Sequence, residues 1–321
     1  MNIDSSQLRS MLEEQLQLKF SIAPALATPR QMYEAVIYVV RELLQSSYAD
    51  TVRRTEAQGA KQVYYMSMEF LVGRSLKNNL HNLGLEDMMR QIVKENGNDL
   101  DALYEMEPDA GLGNGGLGRL ASCYLDALTA QDYPATGFSI RYEFGIFKQV
   151  ILDGWQTEFP DNWLEMGGAW LVPRPDETQE VFFDGEIEEI WSENGLKTIH
   201  KNYDKVLAVP YDLLISGHGT DTVNRLRLWG AKSSGMFDMS SFSRGDYLKS
   251  VESSAKAEAI SKVLYPADDH MEGKNLRLRQ QYFFVCASLK NIVSAHFARY
   301  KTLDNLADKV VIHINDTHPS L

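Results

Sequence analysis

Five glycines fall within eight residues in Gly111-Leu112-Gly113-Asn114-Gly115-Gly116-Leu117-Gly118, and an apolar run follows at once at Leu120, Ala121, Tyr124, Leu125 and Leu128. The pattern reads as a loop feeding a helix N-terminus. Glycine lets the backbone take positive φ and lets a ligand come close. The first amides of a helix lack intrahelical partners and carry partial positive charge, which suits a phosphate or another anion. A tight surface turn, or close backbone packing, would use the same glycines, so the flanking residues decide. The string satisfies G-x-G-x-x-G twice, as Gly111/Gly113/Gly116 and as Gly113/Gly115/Gly118. A dinucleotide site needs a strand directly before it. Here Tyr104 to Ala110 gives an acidic helix end and Pro108, which weighs against a nicotinamide-dependent oxidoreductase. Gly273-Lys274 lacks the earlier glycine of a phosphate-binding Walker loop.

Other candidates are weaker taken singly. Glu69 closes a strand-like run, and strand ends in α/β sheets point groups into clefts. Tyr142, Phe144, Phe147, Trp155, Phe159, Trp163 and Trp170 lie beside Arg141, Glu143, Asp153, Glu158 and Asp161. Such rings stack on sugar faces while polar neighbours bind hydroxyls, although most aromatics of this kind belong to cores. Asp268-Asp269-His270 sits between two helical patterns after Tyr265-Pro266, in position either to gate a site or simply to connect helices. Adjacent carboxylates do not face each other across a substrate as a glycosidase pair must. His313, Asp316 and His318 lie close in sequence, yet no metal site is expected.

Thr28-Pro29 reads as an N-cap with proline at the first helical position, and Met32, Val36, Val39, Val40 and Leu43 mark one helix face. Met1 to Leu18 is polar and acidic. Val63 to Phe70 is strand-like, Leu85 to Lys94 and Leu100 to Met106 are short helices, and Ala135 to Arg141 is a strand. From Glu180 to Ala231 the pattern is β, with turn signals at Asp184-Gly185 and Asn194-Gly195, as in hairpins. Asp246 to Leu264 and Lys274 to Tyr300 are helical, and Lys309 to Ile314 is a short strand. Strands and helices interleave around a β-rich middle, so the class is mixed α/β with an inserted meander.

The chain has 321 residues, 44% of them apolar, and a formal charge of −12, enough for a substantial core. It has no Lys/Arg cluster longer than a pair, which argues against nucleic acid as a partner, and its negative charge gives no attraction to anionic membranes. Cys123 and Cys286 sit in apolar helical patterns and are expected as buried thiols in a reducing, cytoplasmic setting. No signal-peptide or membrane-spanning run is present.

Several strings together resemble the α-glucan phosphorylases, the glycogen/maltodextrin phosphorylase family. They are Tyr64-Tyr65-Met66-Ser67-Met68-Glu69-Phe70 with Gly73-Arg74; Asp109 through Leu120; Ile140 through Phe147; Gly154-Trp155-Gln156 with Asn162-Trp163-Leu164; Leu226-Arg227-Leu228-Trp229; Val263-Leu264-Tyr265-Pro266; Glu272-Gly273-Lys274 with Leu276-Arg277-Leu278; and Asn315-Asp316-Thr317-His318-Pro319. They occur in family order along almost the whole chain.

The resemblance implies the N-terminal part of a GT-B-type two-domain glycosyltransferase. Residues 1–60 would form a helical N-terminal segment, and 61–321 a partial Rossmann-like domain with its β-rich insert about 180–231. It implies release of glucose 1-phosphate from terminal α-1,4 bonds of glucans by inorganic phosphate, with retained configuration. Pyridoxal phosphate would act there through its phosphate group. Gly116 and Leu117 would offer amides to the phosphate and the glucosyl unit, with Gly115 beside them. Asn114 would lie near the cofactor, Arg119 would brace the loop, and Glu69 would sit by the sugar. Asp268 and Asp269 would belong to a gate loop, and Asp316 and His318 would support the catalytic segment. Trp163 and Arg277 are carried over as substrate- or phosphate-binding residues, and the helix Asp246 to Val263 as a homodimer contact.

The chain also departs from the pattern. Asp269 stands where many members have asparagine, and His270-Met271 where two aromatics stand. Ser294-Ala295-His296-Phe297 replaces an arginine pair, and a basic serine-containing tail is absent, so phosphoserine or nucleotide control is not expected. The catalytic histidine segment and the whole second domain, with its Schiff-base lysine, have no counterpart in these residues. The polypeptide alone is therefore expected to show no phosphorolysis and to retain no pyridoxal phosphate. One half-cleft cannot place two phosphates against a scissile bond.

Overall fold

The computed structural model describes residues 3–193 and 195–315. Two helices open the chain, α1 (Ser5–Phe20) and α2 (Pro29–Gln58). Each starts in a complete capping box, in which Asp4 and Thr28 accept from the amides of Gln7 and Gln31 while those glutamines bond back to the cap. Gly59, at φ +59°, ends α2 in the left-handed region. α1 falls within the expected helical start of the chain, although its buried stripe of Leu8, Leu12 and Leu16 is only one residue wide.

The order continues with β1 (Gln62–Ser67), α3 (Leu76–Asn82), α4 (Glu86–Glu95), α5 (Leu100–Met106), α6 (Gly116–Ala130), β2 (Ala135–Ile140), β3 (Lys148–Leu152), β4 (Trp155–Phe159), α7 (Leu164–Gly167) and β5 (Val172–Pro173). Next come β6 (Gln179–Phe183), β7 (Glu186–Ser192), β8 (Gly195–Lys201), β9 (Asp204–Ser216), β10 (Val223–Ser233), α8 (Met239–Ser243), α9 (Tyr247–Glu258), α10 (Met271–Tyr300), α11 (Leu306–Lys309) and β11 (Val310–Asn315).

The main sheet runs β11-β1-β2-β10-β9-β5, with β6 also on β9. β1 is parallel to β11 and β2, and β2 is parallel to β10; β10 and β9 are antiparallel. All six residues of β2 are buried, as a strand covered on both faces must be. On one face, Gly137 lets α6 approach: an added Cβ would lie 2.9 Å from Leu226 Cδ1 and 3.2 Å from Leu125 Cδ2. On the other, Phe138 stacks parallel to Trp229, whose indole donates to Ser288 Oγ of α10 at 2.9 Å.

A buried ion cluster ties this second face together. Arg227, fully buried, forks onto Asp212 through Nε at 2.7 Å and Nη2 at 2.8 Å, and also reaches Glu177 and Asn291 of α10. Arg225 and Arg174 lie 3.4 and 3.6 Å from Asp212 Oδ2. Burial pushes the Asp212 carboxyl up, but the Arg227 hydrogen bonds and the neighbouring guanidinium charges outweigh it and hold it below its ordinary value.

The β-rich stretch divides in two. β9 and β10 are strands of the main sheet, while β7 and β8 form a separate exposed ribbon. β6/β9 and β7/β8 share one unbroken register from Gln179↔Ala208 to Ser192↔Gly195. Asp184-Gly185 is therefore a kink within a long ribbon and not a hairpin turn. Asp184 (φ +57°), Gly185 (φ +80°) and Asn202 (φ +55°) take left-handed backbone there. Of the Asn194-Gly195 signal, Asn194 lies outside the described residues.

Three helical expectations change. α9 stops at Glu258 because the chain tightens into a 3₁₀ turn at Ala259–Ser261, anchored by fully buried Ile260 and by Ser261 Oγ accepting the Ala231 amide at 3.1 Å. Cys123 is exposed and Cys286 only partly covered. For Cys123 the cause lies in which face of α6 packs: Gly118, Ala121, Ser122, Leu125 and Thr129 are buried, so Cys123, Leu120 and Tyr124 turn outward. Among the described residues, no helix is long and apolar enough to cross a membrane.

Candidate active site

The candidate residues gather beyond the C-terminal ends of the parallel strands, where open α/β sheets carry their sites. The chain after β1 crosses the glycine loop. Phe70 N donates to Leu112 O at 2.8 Å and Leu71 N to Gly118 O at 3.0 Å. Between them Glu69, 4% exposed, turns its carboxylate under the loop. Its Oε2 accepts the amides of Asn114 at 2.6 Å and Gly115 at 3.3 Å, and its Oε1 accepts the Tyr265 hydroxyl at 2.7 Å. The element preceding the loop is α5, not a strand, which removes the dinucleotide pattern.

The glycines divide into two kinds. A Cβ on Gly111 would overlap the Trp163 indole and lie 2.9 Å from Gly145 Cα; one on Gly113 would lie 2.6 Å from Leu71 N; one on Gly118 would lie 2.8 Å from Glu69 Oε2. These three are required by packing. Gly115 and Gly116 would meet nothing within 4 Å. Gly115 is the extended N-cap of α6 (φ −145°, ψ −153°), with no side-chain cap, and Arg119 N closing on Gly115 O at 2.9 Å marks the first turn. The amides of Gly116 and Leu117 thus open α6 with no intrahelical acceptor, on the side where the chain leaves room.

Arg119 extends Nη1 to Leu71 O at 3.5 Å. Asn114 is exposed and bonded through its backbone to Glu69. Trp163 is not placed to touch a ligand: it is 3% exposed, donates to Tyr142 O at 3.0 Å, and supports Gly111 from below. Tyr142 and Trp170 are likewise buried, and Tyr142 donates to Met68 O at 2.8 Å. The outer aromatics differ. Phe147, Phe159 and Trp155 are exposed, and Phe144, Phe147, Phe159 and Val263 border an open cleft of about 610 Å³. The β3–β4 hairpin carries Trp155 and Phe159 outward, and its two-residue turn at Asp153 (φ +50°) and Gly154 (φ +83°) is a hairpin signal legible in the sequence.

Arg277 is turned inward, with its guanidinium 5.1 Å from the Tyr265 ring centre and Nη1 3.5 Å from Asp268 Oδ2. Asp269 lies exposed on the outer side of this loop. His270 Nδ1 caps α10 by accepting the Gly273 amide at 3.0 Å, which places any single ring proton on Nε2. Asp316 and His318 lie outside the described residues. β11 ends at Asn315, whose Nδ2 donates to Tyr65 OH at 2.9 Å. Tyr265 joins the site only in the folded chain: its partner Glu69 is 196 residues away, and no local signal in the sequence marks it.

Toward a ligand, this part of the chain presents the N-terminus of α6 and the exposed Asn114. Among the described residues no group of three or more potential metal ligands converges.

A family model for carbohydrate phosphorylases matches residues 93–321. Similar proteins include the glycogen phosphorylase of Chlamydia pneumoniae, 44% identical over 100% of this chain and 39% of the relative's length. The glycogen phosphorylase of Pasteurella multocida is 43% identical over 95% of this chain and 37% of its own. The human brain form of glycogen phosphorylase is 40% identical over 99% and 38%. The chain thus spans less than two-fifths of the length of these relatives. The mixed α/β sheet with its helical start accords with the GT-B-type fold, and with the family model matching well over half its residues, the chain belongs to the carbohydrate phosphorylase family.

Proposed function

We propose that this chain forms one wall of the active site of an α-1,4-glucan phosphorylase, which releases α-D-glucose 1-phosphate from a glucan end with inorganic phosphate. The observation that supports this most is the open face at Gly115 and Gly116 in a loop whose other glycines are all needed for packing. Glycine there serves something that approaches the backbone from outside, and helix-end amides favour an anion. Gly116 and Leu117 would hold the phosphate and orient the terminal glucose. Glu69 would fix the loop from beneath, and the 265–270 segment would flank the sugar. The opposite wall, with pyridoxal phosphate supplying proton transfer through its phosphate, would come from residues other than these. α9, with Tyr247, Leu248 and Val251 exposed, would contribute to a homodimer.

The experiment compares the chain alone with the chain joined to the C-terminal part of the Chlamydia pneumoniae relative. Glucose 1-phosphate formation from maltoheptaose and phosphate is measured for both. Turnover only in the joined protein is expected. A joined protein that folds and binds cofactor but stays inactive would overturn the proposal, as would turnover by the chain alone.

A further inference from the structure

We infer that Tyr265 is a positioning residue, through which the 265–270 segment sets the direction of the loop amides at Asn114 and Gly115. The inference rests on the function proposed above for its meaning, but not for its geometry. A carboxylate is planar, so its two oxygens turn together. In Glu69, Oε1 is held by the Tyr265 hydroxyl at 2.7 Å, while Oε2 holds Asn114 N at 2.6 Å and Gly115 N at 3.3 Å. The group is 4% exposed, so water does not replace a lost partner at little cost. Gly118 closes the remaining side: a Cβ there would lie 2.8 Å from Oε2 and 3.1 Å from Glu69 Cγ. Rotation of Tyr265 away from Oε1 therefore frees the carboxylate plane, and with it the two amides immediately before Gly116.

Tyr265 is itself held from the gate side. The Arg277 guanidinium lies against its ring, and Arg277 pairs with Asp268 three residues along. Upstream, Glu143 N and Phe144 N donate to Ser261 O and Lys262 O, both at 2.9 Å, which fixes where the segment begins. A movement of Asp268 is thus transmitted through Arg277 and Tyr265 to Glu69 and the glycine loop. Two segments far apart in sequence share one carboxylate.

The test is Tyr265→Phe in the full chain, read by amide hydrogen exchange and by inorganic phosphate binding. Asn114 and Gly115 are expected to exchange about tenfold faster, the scale of one lost hydrogen bond to a charged group. Phe70 and Leu71, whose amides bond to Leu112 O and Gly118 O in the same loop, should keep their rates. Arg277→Ala, which leaves the hydroxyl in place, should give the same pattern more weakly if Tyr265→Phe does not fold. Unchanged Asn114 and Gly115 would overturn the inference, and so would equal acceleration of all four amides, which signals general loosening. Phosphate should bind the wild type more tightly than the variant. A wild type that binds no phosphate counts against the proposed function, and the exchange pattern then decides the coupling alone.

Discussion

Replacing Gly111 and Gly116 one at a time by alanine separates the two uses of glycine in the loop. At Gly111 the new methyl would overlap the Trp163 indole and lie 2.9 Å from Gly145 Cα. The indole is buried and its Nε1 is bonded to Tyr142 O at 3.0 Å, so it has no free direction in which to yield. Overpacking of this kind costs about 1–3 kcal/mol. Displacing the indole far enough to break its hydrogen bond adds about 1 kcal/mol. The sum, about 2–4 kcal/mol, lowers the melting temperature by roughly 3–6 °C for a chain of this size. At Gly116 no atom lies within 4 Å of the new methyl, and a helical glycine exchanged for alanine gains up to about 1 kcal/mol from the unfolded state. Gly116→Ala should therefore melt at or slightly above the wild type. Its methyl would stand where the phosphate approaches, so loss of one charge-assisted hydrogen bond, about 1.5–3 kcal/mol, weakens phosphate binding roughly 10- to 100-fold. Thermal melts with phosphate titration by calorimetry read both effects. Equal destabilisation by the two substitutions would refute the division, and so would full phosphate affinity in Gly116→Ala.

Two further outcomes concern buried charge. Asp212→Asn leaves Arg227 fully buried, with only Glu177 as a charged partner, and should cost about 3–5 kcal/mol; a urea midpoint equal to that of the wild type would contradict this. Glu107, 3% exposed, accepts Ser75 N, Leu76 N and Trp170 Nε1, yet burial outweighs these bonds and pushes its carboxyl up. A raised folded value means that its contribution is fully present below the unfolded value of about 4.3 and is lost as pH rises through the folded value, at up to about 1.4 kcal/mol per pH unit. Glu107→Gln should flatten that part of the stability–pH curve, and an unaltered slope would show that Glu107 is not its source.

The start of α2, the bounds of α5 and the strand β2 were legible because their caps and patterns are local. The glycine loop was legible as a loop feeding a helix N-terminus for the same reason. α6 was only half legible. Leu120 and Tyr124 look like core in a periodic pattern, yet its small residues Gly118, Ala121 and Ser122 are what face inward. Trp163 and Trp155 are the same residue type within one segment, but the first is buried under Gly111 while the second is exposed on a hairpin. Arg227 reads as an exposed polar residue in a strand, and only the convergence of Asp212, Glu177 and Asn291 accounts for its burial. The Tyr265–Glu69 contact joins residues 196 positions apart and has no trace in spacing. Local signals fix elements, whereas the side-chain meetings that define the site depend on how the elements pack.

The kinked ribbon constrains how this part of the chain can vary. β9 leaves the ribbon and enters the main sheet without a break, and it carries Asp212 at a fixed place opposite Arg227. β9 holds its register against β10 independently of the ribbon, so residues gained on one limb and not matched on the other slip β6 against β9 and turn Val181 and Phe183 out of the core. The exposed tip can therefore lengthen or shorten only symmetrically. Its length is free only while the two limbs match, because the register at the tip is the one that buries Val181 and Phe183.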